Sequence, residues 1–220
     1  MRSCTVYQDL SLALSPSGLV PRGGFHSEGR QTHILIGNVN AAMWAAFSAD
    51  PIDGSDPLDR WTRQVVEPIA ENFNAKALYA FEGPPYHPFQ HWAMQAEAVF
   101  PSPIGPLIHP KFGLWHAYRA ALVFDREIDL PPQVPAASPC ETCTEKPCLS
   151  ACPVEAFSSG KYDVPTCVGH LETPEGASCL NESCAARRAC PIGVQHCYSV
   201  EQSKHHMTAF LRTQTGQLIS

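Results

Sequence analysis

The chain has 220 residues, of which 44% are hydrophobic and 16% are charged, and its formal net charge is −6. This composition excludes a disordered chain and leaves room for one sizeable domain and one small domain. No segment reaches the ~18 consecutive apolar residues of a membrane span. A negative net charge gives no general attraction to nucleic acid phosphates. We therefore expect neither a membrane nor a nucleic acid among the partners.

The N-terminal part of the chain mixes predicted helices with predicted strands. Apolar runs of strand length mark the strands, and apolar residues at helical spacing mark the helices. In chain order we predict a helix at 6–14, a strand at 33–39, helices at 41–49 and 58–73, a strand at 76–82, a helix at 89–100 and a strand at 116–125. Such a mixture over about 125 residues predicts an α/β (α+β) domain.

The start and the middle of the helix at 58–73 carry specific signals. Asp56 followed by Pro57 has the form of an N-cap followed by proline at the first helical position. Pro68 lies inside the apolar pattern, where a proline lacks the backbone donor and crowds the preceding turn. We therefore expect this helix to be kinked or divided at Pro68.

A proline-rich segment at 133–139 is predicted to be a stiff linker. It separates a first domain, 1–132, from a small second domain at 140–200, and 201–220 is predicted to be a tail. The N-terminus lacks the apolar stretch and cleavage site of an export signal, so we expect a cytoplasmic protein. In that reducing compartment, closely spaced cysteines bind metals more often than they form disulfides.

Eight of the ten cysteines lie between residues 140 and 190, in two runs that each end in Cys-Pro, with Cys167 between the runs. In the bacterial ferredoxin pattern, the cysteine before proline in each run ligates the cluster of the other run. The rule predicts two [4Fe–4S] clusters. The first set of ligands is Cys140, Cys143, Cys148 and Cys190, and the second set is Cys152, Cys167, Cys179 and Cys184.

Two other uses of the same thiolates stay open. Two structural zinc sites would also use four cysteines each, and disulfides would use them in pairs. The Cys-Pro ending of both runs favours the ferredoxin geometry over both alternatives. Cys4 and Cys197 belong to neither set and are expected to be free thiols.

The segment from Cys140 to Pro191 resembles the ferredoxin-type domain of epoxyqueuosine reductases. The likeness includes the isolated middle cysteine, in the stretch Cys167-Val-Gly-His-Leu-Glu-Thr-Pro-Glu-Gly. Enzymes of that family join two clusters to a corrinoid-binding domain. The resemblance thus implies a small bacterial ferredoxin-type domain at the C-terminal end of this chain.

The N-terminal domain is similar to the CblC-type cobalamin-processing proteins, which remove the upper axial ligand of cobalamin. The similarity is carried by Ile108-His-Pro-Lys-Phe-Gly-Leu-Trp115, then Ala117-Tyr-Arg119 and Asp129-Leu-Pro-Pro132. It implies a nitroreductase-like fold that binds a corrinoid. The residues implied as corrinoid contacts are Ser102, Pro103, Ile104, Gly105, His109, Trp115, His116, Ala117 and Tyr118.

Together these resemblances imply an oxidoreductase of the cobalamin reductase type. A reduced donor protein would load the clusters, and electrons would pass from them to the bound corrinoid and expel its upper ligand. Three alternatives stay open: a dicluster electron-transfer protein without a corrinoid, an epoxyqueuosine-reductase-like enzyme, and a flavin-dependent reductase, because nitroreductase-like folds often bind FMN.

Overall fold

The computed structural model describes residues 5–158 and 160–216, which form two compact units. The first, here called the sheet unit, comprises 5–99 and 116–136. The second, here called the cysteine unit, comprises 100–115 and the described residues from 137 onward. The segment 100–115 thus groups with the cysteines, whereas the sequence boundary was expected near residue 132. Among the described residues, no helix combines the length and the apolarity needed to cross a bilayer.

The strands fall into a larger and a smaller antiparallel sheet. They are β1 (Val20–His26), β2 (Thr32–Asn38), β3 (Lys76–Tyr79), β4 (Phe100–Pro101), β5 (Leu107–Ile108) and β6 (Ala117–Phe124). The sheet unit contains the four-stranded sheet, in the order β1-β2-β6-β3. Every residue of β2 is buried, because this central strand is covered on both faces. The pair β4-β5 belongs to the cysteine unit.

Helices surround the larger sheet and supply its core. They are α1 (Thr5–Leu14), α2 (Ala42–Ala49), α3 (Pro57–Asn72) and α4 (Phe89–Ala96). Leu10, Phe47 and Trp61 from the first three of these pack with Ile36 and Leu122 of the sheet in one buried apolar cluster. The predicted α/β (α+β) class is confirmed.

Helix α3 is a single helix that starts where the sequence predicts and runs through Pro68. Pro57 is its first residue, as predicted, but Asp56 has a left-handed backbone (φ 48°) and its side chain makes no capping hydrogen bond. Pro68 lies inside the helix without dividing it. Both Pro68 and Gln64, whose carbonyl would have accepted the missing hydrogen bond, are exposed, so water can satisfy that carbonyl.

The cysteine unit is built from short helices and turns. Its helices are α5 (Pro139–Thr142), α6 (Pro147–Ser150), α7 (Val164–Leu171), α8 (Ala177–Glu182), α9 (Ala185–Arg188) and α10 (Val200–Thr215). The predicted linker therefore ends in a helix, and helix α10 occupies most of the predicted tail. Ser199 explains its start, since its side chain accepts a hydrogen bond from the backbone N–H of Gln202.

Candidate metal centre

One cavity of the cysteine unit is lined by Cys140, Cys143, Cys148 and Cys190; we call it the first cysteine cavity. Helix α5 carries the first of these thiols, and its start is capped by the hydroxyl of Ser138, which accepts from the backbone N–H of Cys140 at 3.3 Å. Helix α6 carries Cys148. The fourth thiol comes from the second cysteine run, directly before Pro191. Cysteines that are distant in sequence therefore line one cavity.

A second cavity is lined by the other four cysteines, Cys152, Cys167, Cys179 and Cys184; we call it the second cysteine cavity. Helices α7 and α8 contribute Cys167 and Cys179. Cys152 directly precedes Pro153 and comes from the first run. The structure thus brings together the same two sets of four that the ferredoxin exchange rule groups.

The arrangement does not match a single-ion site. Within residues 5–158 and 160–216, no group of three or more His, Cys, Asp or Glu side chains is placed to bind one metal ion. A tetrahedral zinc ion with ~2.3 Å bonds draws its four sulfurs close together. Four thiols around a cavity instead suit a cluster, whose iron atoms lie between the sulfurs and the centre.

In the first cavity, neighbouring thiols raise the pKa values of Cys140 and Cys148. Burial raises the pKa of Cys140, and the neighbouring thiols of Cys190, Cys148 and Cys143 raise it further. The pKa of Cys148 is raised first by burial and then by Cys190 and Cys143. Four neighbouring thiolates without a counter-charge would repel one another. A bound metal reverses this preference, because coordination deprotonates a thiol outright.

The second cavity shows the same electrostatics within its own set. Burial raises the pKa of Cys184, with smaller increases from Cys179 and Cys167. Burial also raises the pKa of Cys167, and so do Cys152 and Cys179, while a hydrogen bond from the Tyr162 hydroxyl lowers it. The thiols that shift the pKa values of Cys167 and Cys184 therefore line the same cavity as these two cysteines.

Backbone groups also point at the sulfurs. The N–H of Ala156 lies 3.4 Å from the Cys152 sulfur, and hydrogen bonds from the backbone at Arg187 and Ala186 lower the pKa of Cys184 against the effect of burial. Such donors stabilise anionic sulfur. Buried and half-buried cysteines, apolar walls and backbone donors together fit two iron–sulfur clusters.

Two glycines explain why the segment 100–115 belongs to the cysteine unit. Gly113 and Gly193 have φ values of 58° and 75°, and the backbone of each approaches the other's segment closely. A Cβ atom at Gly113 would collide with the carbonyl of Ile192, and one at Gly193 with the backbone of Phe112. Only glycine permits this contact, which lies directly after Cys190-Pro191.

Arg187 fixes the same segment from another side. Its guanidinium lies 4.5 Å from the ring centroid of Trp115 and 4.6 Å from that of Tyr198. It also donates to the Leu114 carbonyl, from Nε at 3.0 Å and from Nη2 at 2.5 Å. Two aromatic rings and one carbonyl thus hold this guanidinium in place. The sequence alone gives this residue no role, because Leu114 and Trp115 lie more than seventy residues away in the chain.

The candidates His109 and Trp115 have structural contacts in the cysteine unit. The Nδ1 atom of His109 accepts from the backbone N–H groups of Lys111 at 2.9 Å and Phe112 at 3.2 Å. These bonds support the tight turn that ends at Gly113. Trp115 is 1% exposed and lies under Arg187. A corrinoid contact for either residue stays a prediction.

The predicted candidates Ser102, Pro103, Ile104 and Gly105 also lie in the cysteine unit. Pro103 lines the first cysteine cavity, and Ile104 belongs to the small apolar core of this unit. Gly105 has a φ of 101° in a turn whose N–H bonds back to the Ser102 carbonyl at 3.1 Å. Two of these four residues thus pack around the cysteines.

The remaining candidates, His116, Ala117 and Tyr118, lie in the sheet unit. The Nδ1 atom of His116 lies 3.2 Å from Arg22, which pairs with Glu97 at 2.6 Å. The Tyr118 hydroxyl donates to the same carboxylate at 2.5 Å, and burial raises the pKa of this phenol. Ala117 pairs with Asn38 at the end of the sheet. The result is a buried polar network at the start of strand β6.

The remaining two cysteines are Cys197 and Cys4. Cys197 is exposed and lines neither cavity. Burial of part of the side chain raises its pKa, and the positive charge of Arg187 lowers it. Cys4 lies outside the described residues.

No known protein-family profile matches the chain, and no curated protein matches it. Among solved structures, epoxyqueuosine reductase from Streptococcus thermophilus is similar with a TM-score of 0.51 and 13% identity, over 88% of this chain and 66% of that enzyme. The enzyme from Bacillus subtilis matches with a TM-score of 0.53 and 12% identity, over 91% of this chain and 68% of that one. This chain has the fold of these enzymes and spans about two thirds of their length.

A third neighbour is an epoxyqueuosine reductase in complex with an epoxyqueuosine-modified tRNA stem loop, with a TM-score of 0.53, 14% identity and coverage of 91% of this chain. It contradicts our exclusion of nucleic acid as a partner. That exclusion was wrong because it used net charge alone, while a protein with this fold binds RNA. The similarity to CblC-type proteins gains no support from the comparisons, whereas the similarity to epoxyqueuosine reductases extends from the cysteine domain over most of the chain.

Proposed function

We propose that this protein is an iron–sulfur oxidoreductase that uses two [4Fe–4S] clusters and resembles epoxyqueuosine reductases in function as well as in fold. The observation that carries the proposal is the division of eight thiols into two cavities of four. One cluster would be ligated by Cys140, Cys143, Cys148 and Cys190, and the other by Cys152, Cys167, Cys179 and Cys184.

The clusters, when bound, would supply one-electron transfer. The protein would contribute three things. Its thiolates bind and orient the clusters, and apolar side chains such as Ile108 and Phe157 exclude water from the cavities. Backbone donors such as the N–H of Ala156 stabilise the negative charge on sulfur. Adjacent clusters of this kind form a short relay between an external electron donor and a substrate.

For the substrate, we propose a modified nucleoside in tRNA, of the epoxyqueuosine type. The fold shared with epoxyqueuosine reductases over about nine tenths of this chain supports this choice, as does the neighbour in complex with a tRNA stem loop. The direct test is incubation of the reconstituted, chemically reduced protein with an epoxyqueuosine-modified tRNA stem loop. We expect conversion to the deoxygenated nucleoside, detected by mass spectrometry, and no conversion by a Cys148→Ser variant.

Corrinoid binding is a second proposal, and it rests on the sequence of residues 108–115 and 117–119. Titration with hydroxocobalamin tests it through the visible corrin bands. A shift in those bands with no nucleoside conversion would favour cobalamin processing. A yellow chromophore in the purified protein would favour FMN instead. If the protein binds iron clusters but shows neither activity, it would be an electron carrier that passes electrons from a reduced donor protein to a partner.

A further inference from the structure

His170 lies against the second cysteine cavity, and nothing in the sequence analysis gave it a role. It is in helix α7, three residues after Cys167, so the two side chains share one face of the helix. His170 lines the second cavity together with all four of its cysteines. A polar ring therefore shares this cavity with the four candidate ligands.

The Nε2 atom of His170 is buried and has no hydrogen-bond partner among the described residues. Leaving such a nitrogen unpaired in a buried position costs about 1–3 kcal/mol, so a partner is expected in the folded, loaded protein. The other residues that line this cavity carry side chains that end in sulfur or in apolar groups. Among these side chains, sulfur is the available hydrogen-bond acceptor.

The backbone at His170 is held firmly in place. Gly176 packs against the His170 carbonyl so closely that a Cβ atom there would collide with it. The same carbonyl accepts a hydrogen bond from the backbone N–H of Thr173 at 3.0 Å and one from its hydroxyl at 2.9 Å. Helix α7 is therefore fixed at the end that carries His170.

We propose that the Nε2–H of His170 donates a hydrogen bond to a sulfur of the cluster in the second cysteine cavity and thereby raises the reduction potential of that cluster. This inference rests on the proposed function, because it requires a cluster in that cavity. A donor stabilises the reduced cluster more than the oxidised one, since the reduced cluster carries one more negative charge. His170 is a positioning and tuning residue and not a fifth ligand.

Among the described residues, the lining of the first cysteine cavity includes no histidine. Apart from the thiols, the one charged or polar side chain among those lining residues is that of Lys146, which is exposed. The two clusters would therefore differ in potential, with the second cluster higher. Electrons that enter at the first cluster would then move downhill to the second cluster, which gives the relay a direction.

The test is a redox titration of the reconstituted protein, followed by electron paramagnetic resonance. A Cys148→Ser background isolates the second cluster. In that background we expect His170→Leu to shift the midpoint potential to a more negative value. His170→Gln keeps an N–H donor at a similar reach and should restore part of the shift. The matched control is His196→Leu, because the Nε2 of His196 is also buried without a partner among the described residues, yet His196 lines neither cavity.

A second measurement needs no variant. In wild-type protein labelled with 15N-histidine, the reduced second cluster should show one weak 15N coupling, as a hydrogen-bonded imidazole gives. An unchanged potential in His170→Leu, or no 15N coupling, would overturn the inference while leaving the clusters in place. A strong coupling, as from a nitrogen bound to iron, would also overturn it, because His170 would then be a ligand. Protein that binds no iron at all would instead refute the proposed function.

Discussion

The sheet unit and the cysteine unit obtain their stability from different sources. The sheet unit buries a continuous cluster of large side chains, including Leu10, Ile36, Trp61 and Leu122, each at most 7% exposed. In the cysteine unit, the core is small, and Cys152 and Cys190 are themselves part of it. Burial of apolar area stabilises the first unit without help. The second unit has thiols where a core would have leucines, so we expect its stability to depend on what the thiols bind.

Removal of metal gives the largest expected difference between the units. Metal binding contributes on the order of 10 kcal/mol to folding in small domains that depend on a metal. We therefore expect an iron chelator under reducing conditions to abolish hydrogen-exchange protection in helices α7 and α8. Protection in strand β2 should persist. Equal protection of both units after complete iron removal would show that the cysteine unit has a sufficient core of its own.

Replacement of one cysteine tests which cysteines bind which cluster. Cys148→Ser should remove the cluster of the first cavity and lower the iron content to about half, since each cluster requires four thiolates. Cys197→Ser is the matched control, because Cys197 is an exposed cysteine outside both cavities, and it should leave the iron content unchanged. Iron analysis by mass spectrometry distinguishes these results. A greater loss of iron from the Cys197 variant would place that residue among the ligands.

A core truncation in the sheet unit tests whether that unit is stabilised by apolar burial and not by bound metal. Leu122 is fully buried in strand β6, so Leu122→Ala should lower the free energy of unfolding of the sheet unit by about 2–5 kcal/mol. Iron content should be unchanged. Val134→Ala is the control, since Val134 is 79% exposed and its truncation should have little effect. Denaturant unfolding followed by tryptophan fluorescence, with iron analysis in parallel, measures both quantities.

A smaller effect is expected from Arg187→Ala in the cysteine unit. It removes the contacts with Trp115 and Tyr198 and the two hydrogen bonds to the Leu114 carbonyl. We expect a loss of about 1–3 kcal/mol, measured by denaturant unfolding of the iron-loaded protein.

Arg188 provides the matched control for that substitution. It is the next residue, and its guanidinium donates to Glu182 and Ser178 on the surface, at 3.1 and 2.8 Å, so Arg188→Ala should cost at most about 1 kcal/mol. Equal losses in the two variants would mean that the ring contacts of Arg187 contribute nothing.

The sequence predicts the sheet unit well where local signals are strong. The apolar runs near β2 and β6 and the helical spacing of α3 are found where they were expected. The exchange rule for Cys-Pro endings also groups the thiols as the structure does. In both cases the signal lies in residue type and spacing, and tertiary packing reinforces it.

Other features depend on contacts that no local pattern encodes. The assignment of residues 100–115 to the cysteine unit follows from Gly113 meeting Gly193, eighty residues away in the chain. His170 has a local signal, its position one helical turn after Cys167, but only the folded structure shows that its Nε2 is buried with no partner in the part of the chain that is described. The intact course of α3 through Pro68 depends on which carbonyl faces water, which the sequence does not reveal.

The most direct test of the account is the metal and sulfide content of the anaerobically purified protein, combined with its Mössbauer spectrum. Two cavities of four thiols predict about eight iron and eight acid-labile sulfide atoms per chain, in two cubane clusters. About two zinc atoms per chain and no sulfide, or sulfur–sulfur bonds among these cysteines, would contradict it.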